Sequence, residues 1–163
     1  MNKSLLWKWY GLAALVLILD QWSKHWFSAN LSYAQPWVIT DFFNFTLLHN
    51  TGAAFSFLSD AGGWQRWAFG LIAGVVSLVL VVWIARLERH KAWEAVALAL
   101  VLGGALGNLY DRVVLGYVVD FIVVHYEQHY WPAFNVADSG ICVGAAMLII
   151  DSFRSPKTDG QTV

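Results

Sequence analysis

The chain has 163 residues, 58% of them hydrophobic and only 13% charged, against roughly 45–50% and about 25% in soluble domains. A formal net charge of −1 provides no basic field for nucleic acid, which is set aside as a partner. The single cysteine, Cys142, excludes a disulfide framework and a cysteine-based zinc site, and reads as a packing residue in an apolar stretch.

In chain order, apolar runs cover 5–27, 67–85, 93–109 and 136–153, each near the ~20 residues that cross a bilayer as a helix. They leave little length for a separate soluble domain, so 1–163 reads as a single membrane-embedded unit. The first run is too long for a signal peptide, contains Asp20 and Lys24, and precedes no good A-x-A site, so it is expected to be a retained helix. The third and fourth runs carry small residues, among them Gly103, Gly104, Gly107, Gly140 and Gly144, which let helix backbones approach closely. Ten Trp, ten Phe and six Tyr suit the membrane interface, where amphipathic rings sit at headgroup level.

Between the first two runs, 37–48 is rich in β-branched and aromatic residues and predicts short strands, with a turn at 59–63. The segment 117–125 predicts another strand, and 155–163 a disordered tail. Lys3, Lys8, Arg86, Arg89, Lys91, Arg154 and Lys157 are seven of the ten Lys and Arg, and all fall on one side of this topology. The positive-inside rule then makes both termini cytoplasmic, with a small sheet on the outer membrane surface.

A charge at bilayer mid-depth costs roughly 2.5–3.5 kcal/mol, so the polar residues near the runs require reasons. Asp20 and Lys24 are spaced i,i+4, within ion-pair reach on one helix face; a structural pair and a substrate-facing role, with Lys24 snorkelling toward headgroups or a peptide carbonyl, are both open. The stretch Asn50-Thr51-Gly52-Ala53-Ala54-Phe55 reads either as a turn or as a narrow passage beside an extended peptide or acyl chain. Asn108 and Arg112 share a face if the third helix runs on to Arg112, with Asp111 beside them; the bland alternative is a network that ties off the helix end. Asp120 is flanked by apolar residues, and Asp138 lies at the mouth of the fourth run, where a helix N-terminus favours an acid by typically 0.3–1 kcal/mol.

If these two acids converge, they cannot both ionise cheaply, and one proton is shared between them. Such a pair can activate a water against a peptide carbonyl while protonating its oxygen. His125 and His129 offer a competing metal site, but Glu127 does not follow the first His directly as the zincin pattern requires, and an interfacial aromatic loop is the expectation there. A helical membrane scaffold or transporter subunit is the non-enzyme alternative.

Asp20-Gln21-Trp22-Ser23-Lys24, Asn50-Thr51-Gly52-Ala53-Ala54-Phe55, Gly103-Gly104-Ala105-Leu106-Gly107-Asn108 with Asp111-Arg112, Val119-Asp120-Phe121, and Phe134-Asn135-Val136-Ala137-Asp138 occur in this order across nearly the whole chain. With them the sequence resembles the lipoprotein signal peptidase (signal peptidase II) family. The resemblance implies an α-helical membrane protein of four transmembrane helices with a small periplasmic sheet that cradles the substrate. It implies an aspartic endopeptidase of the bacterial inner membrane that removes signal peptides from prolipoproteins, cutting before the diacylglyceryl-modified cysteine. Catalytic Asp120 and Asp138 are implied, facing the periplasm, with Asn50, Asn108, Arg112 and Asn135 around them and Asp20 and Lys24 in support. No cofactor is implied; the partners are the lipidated substrate and membrane lipid. Gly52 and Ala53 would leave room along the scissile bond, and the forked donors of Arg112 would orient a substrate carbonyl or lipid ester.

Overall fold

A computed structural model describes residues 3–52 and 64–154. Ala53, Ala54, Phe55, the turn expected at 59–63 and the tail expected at 155–163 lie outside the described residues. Four helices and a four-stranded sheet follow in the order α1 (Lys3–Asn30), β1 (Trp37–Thr40), β2 (Phe43–Asn50), α2 (Trp64–Arg86), α3 (Ala92–Val114), β3 (Val118–Tyr126), β4 (His129–Tyr130) and α4 (Val136–Arg154). The apolar runs thus lie within helices, which extend past them into polar flanks.

Helix α3 is the centre of the bundle and packs against α1, α2 and α4. In lipid, apolar burial gives helices little reason to associate, and close backbone approach supplies the attraction instead. A Cβ at Gly103 would stand 2.5 Å from the Ala13 carbonyl oxygen, and one at Gly144 2.5 Å from that of Ala97. A Cβ at Gly104 would collide with the Ala137 carbonyl oxygen. These contacts place α1 and α4 on two sides of α3, and α2 adds Leu80 and Ile84 from a third.

α2, α3 and α4 are each long and apolar enough to cross a membrane. α1 is longer, at 28 residues, but carries Lys8, Asp20 and Lys24. Its buried stripe, Ala13, Val16, Asp20, Ser23 and Lys24, follows the three- and four-residue spacing of one helix face. Leu15, Ile18, Leu19 and Trp22 are exposed on the rest of the surface. Cys142, expected to pack, is instead exposed on α4, because α4 meets α3 through its glycine face.

The sheet is antiparallel in the order β1-β2-β3-β4. The single apolar stretch at 37–48 is divided by a turn at Asp41 and Phe42 into β1 and β2. Phe27 of α1 stacks on Phe121 of β3 at 4.2 Å between ring centroids and meets Phe45 of β2 at 4.6 Å, which fixes the sheet to the helix ends. The loop expected at 125–129 is a hairpin: His125 pairs with Tyr130 and Tyr126 with His129, and Glu127 has a φ of 52°. A non-glycine residue in that left-handed region is uncommon and marks a tight turn.

Candidate active site

The register of the sheet places Leu48 opposite Asp120 and Asn50 opposite Val118, so the end of β2 and the start of β3 present Asn50 and Asp120 together. Asp138 comes from the first turn of α4. Asn135 is the N-cap of that helix: its Oδ1 accepts the Asp138 N–H at 2.9 Å, and Asp138 Oδ2 accepts the Asn135 N–H at 3.3 Å. This reciprocal pair is a capping box with an acid at its third position. Asp138 therefore has one carboxylate oxygen on its own helix cap and the other, Oδ1, on Asn108 Nδ2 at 2.7 Å.

Asn135 has no exposed surface and joins the two acids. While its backbone and Oδ1 hold Asp138, its Nδ2 donates to Asp120 Oδ1 at 2.8 Å. Asn50 Nδ2 donates to Asp120 Oδ2 at 3.1 Å. Each of three amides is oriented by a donor on its oxygen: Gly52 N–H on Asn50 Oδ1, Asp138 N–H on Asn135 Oδ1, and Lys24 Nζ on Asn108 Oδ1 at 2.9 Å. An amide whose oxygen is taken must present its NH2 on the other side, and all three NH2 groups face a carboxylate of the pair.

A second layer lies beneath. Lys24, 3% exposed, pairs with Asp20 at 2.8 Å and with Asp111 at 2.9 Å. It does not snorkel outward, because two carboxylates and the Asn108 amide satisfy it internally. Asp20 Oδ1 accepts the Ala137 N–H at 2.9 Å, so this acid also serves the N-terminus of α4. Asp111 accepts Gln21 Nε2 at 2.9 Å and the Val119 N–H at 3.1 Å, which ties β3 to α3 one residue before Asp120. Removing one partner of such a buried cluster costs about 3–5 kcal/mol, so these residues hold the upper pair in place.

Helix α3 does continue to Arg112, and two of its five guanidinium donors are used inside the protein. Nη1 donates to the Asn108 carbonyl at 3.3 Å and Nη2 to the Gly52 carbonyl at 3.2 Å. These two bonds form a clamp between α3 and the end of β2.

Asp120 is 2% exposed. Burial, and after it the neighbouring charge of Asp138, raises its carboxyl from the ordinary 3.8 to about 7, against the opposing hydrogen bonds of Asn50 and Asn135. A cavity of about 450 Å³ opens beside it, lined by Leu48, Asn50, Val123 and Trp131 among others. His125 and His129 stand outside this site; the ring of His125 stacks on Tyr130 at 4.7 Å.

The sequence reading found Asp20 with Lys24, Asn50, Asn108, Arg112, Asp120, Asn135 and Asp138, and all converge here. It placed Asp111 beside Asn108 without its pairing to Lys24, and gave Gln21 no role. The only local signal for Gln21 was an amide next to Asp20.

Residues 12–154 match the family described as Signal peptidase (SPase) II. The chain is 64% identical over 150 residues to a lipoprotein signal peptidase of Teredinibacter turnerae, covering 92% of this chain and 89% of that protein. It is 63% identical over 153 residues to one of Pseudomonas putida, covering 93% and 90%. It superposes on a bacterial membrane enzyme solved by the in meso method at 2.3 Å resolution with a TM-score of 0.83 and 29% identity, covering 96% and 93% of the two chains. A second such structure, at 1.9 Å, gives 0.77 and 30%, covering 94% of each.

Proposed function

Since the chain belongs to the signal peptidase II family, which removes signal peptides from prolipoproteins, we propose that it does so as an aspartic endopeptidase through Asp120 and Asp138. The observation that carries this reading is Asn135, which donates to both carboxylates, from Nδ2 to Asp120 and from its backbone N–H to Asp138, while Asp120 is raised to about 7. The pair holds one proton between them near neutral pH and titrates as a unit. The anionic member takes a proton from a water as that water attacks the scissile carbonyl, and the protonated member donates to the carbonyl oxygen. Each such transfer typically contributes 10²–10⁴-fold.

The same reading extends to topology. α1 is the fourth span: its charges Asp20 and Lys24 are neutralised inside the bundle, while Leu15, Ile18, Leu19 and Trp22 face outward. Lys8, Arg86, Arg89 and Lys91 then lie on the cytoplasmic side of the bacterial inner membrane, with the sheet and both catalytic acids on the periplasmic side. A substrate cut before its diacylglyceryl cysteine keeps its acyl chains in lipid while the peptide bond reaches the acids.

The test is cleavage of a lipidated and an unlipidated prolipoprotein by purified wild type, Asp120→Asn and Asp138→Asn. Near-total loss in both variants, with folded protein still present in membranes, is expected. Normal cleavage by either variant refutes the aspartic mechanism, and equal cleavage of both substrates refutes the requirement for lipid.

A further inference from the structure

The geometry points to Arg66, at the start of α2, as a positioning residue for the reaction, acting through Arg112. Arg66 Nε donates to the carbonyl of Arg112 and its Nη2 to the carbonyl of Val113, both at 2.6 Å. The last carbonyls of a helix have no partner within it. At the end of α3 the Asp111 carbonyl is taken by the N–H groups of Leu115 and Gly116, and the next two are taken by this one guanidinium from another helix.

Room for it is made by Gly116, whose φ is +88° and where a Cβ would stand 3.1 Å from Arg66 Nη1. The guanidinium also lies over the Trp67 ring at 5.0 Å, which holds its plane. A fork with two donors in fixed geometry suits a pair of adjacent carbonyls; a lysine can hold one carbonyl but cannot set the orientation of both.

What this fixes is the stretch that carries the site. Asn108, the donor to Asp138, lies one turn before the gripped carbonyls, and β3 with Asp120 begins two residues after Gly116. Arg112 is held twice over: its backbone by Arg66, its side chain to Asn108 and Gly52. Arg66 touches neither acid and does not line the cavity beside Asp120, so its effect on the reaction passes through the backbone of Arg112. This inference rests on the placing of Arg112 beside a catalytic pair of acids.

The experiment measures steady-state cleavage of a lipidated prolipoprotein by Arg66→Lys, in the wild-type and Arg112→Lys backgrounds, with Gly116→Ala as a second route to displace the guanidinium. Arg66→Lys is expected to accumulate in membranes and to lower kcat about 10- to 100-fold, the scale of a small misplacement of reacting groups, while KM stays within about twofold. Gly116→Ala should reproduce the kcat loss. In the Arg112→Lys background the Arg66→Lys effect should shrink to less than about threefold, the non-additivity expected of coupled residues. Unchanged kcat, an undiminished effect in the Arg112→Lys background, or loss of both variants from the membrane overturns the assignment. Asp120→Asn, run beside them, separates the two ideas: its full activity refutes the acid pair, while the coupling between Arg66 and Arg112 is read independently from cleavage.

Discussion

Replacing Asp120 with Asn separates catalysis from stability in a direction opposite to that of an ordinary buried-site mutation. The native carboxyl rises from 3.8 to about 7 because burial, and then Asp138, disfavour its anion. Between pH 4 and 7 the folded state therefore binds more protons than the unfolded chain, and stability falls as pH rises through that window. The full penalty above pH 7 is on the order of 4 kcal/mol, at 1.36 kcal/mol per pKa unit. An asparagine carries no such penalty. It does lose one good hydrogen bond, because Asn50 and Asn135 both donate to this side chain and an amide offers only one acceptor oxygen; that costs about 1–3 kcal/mol. Asp120→Asn should thus equal or exceed wild type in thermal stability at pH 8, fall below it at pH 4, and show a flattened dependence between. Cleavage should drop by at least about 10⁴-fold, since both proton transfers depend on the pair. Thermal unfolding in detergent across pH 4–8, beside cleavage of a lipidated prolipoprotein, measures both quantities. A variant less stable than wild type at pH 8, or one retaining more than about 1% of the cleavage rate, would falsify the shared-proton account.

Lys24→Met leaves Asp20 and Asp111 buried without a cation, and should lower stability by about 3–5 kcal/mol; adding Asp20→Asn and Asp111→Asn should recover much of that, as read from unfolding temperature and membrane yield. Gly104→Ala drives a methyl into the Ala137 carbonyl oxygen, pushing the first turn of α4 from α3, and should cost about 1–3 kcal/mol together with cleavage rate; equal rate and stability in this variant would show that the helix contact tolerates expansion. His125→Ala and His129→Ala, assayed with and without a chelator, should cleave at the wild-type rate, and a joint loss would revive the metal reading.

The elements that spoke most clearly in the sequence were those built from local patterns. Apolar length marked the helices, the i,i+4 spacing exposed the Asp20–Lys24 pair, and β-branched and aromatic stretches marked the strands. What remained hidden depends on contacts across the chain. Asp111 finds Lys24 from 87 residues away, and nothing near Asp111 announces a partner on α1. The clamp made by Arg112 was hidden because the Gly52 and Asn108 carbonyls it binds are backbone groups, invisible in a side-chain reading. The hairpin at 126–129 was missed because its turn uses Glu127 with a positive φ, where composition would look for Gly or Asn. Cys142 was misread because apolar sequence does not say which face of a helix meets protein and which meets lipid.

The charge balance explains why the proton should reside in the upper pair. The cluster has four carboxyls, Asp20, Asp111, Asp120 and Asp138, and two cations, Lys24 and Arg112. Lys24 is committed to Asp20 and Asp111, both within 2.9 Å, and these acids are further held by N–H groups from Ala137 and Val119; every donor on them favours the anion. Asp120 and Asp138 are left with neutral amides as their hydrogen-bond partners and Arg112 farther off, its Nη1 and Nη2 donating to carbonyls. Two anions there would share Asn135 with no cation paired to either, which in a buried site favours taking up a proton. The lower layer therefore does more than support the pair sterically. By holding Lys24 in direct contact with Asp20 and Asp111 it leaves the upper pair without a cation at hydrogen-bond distance, where burial outweighs the more distant charges of Lys24 and Arg112 and favours a bound proton.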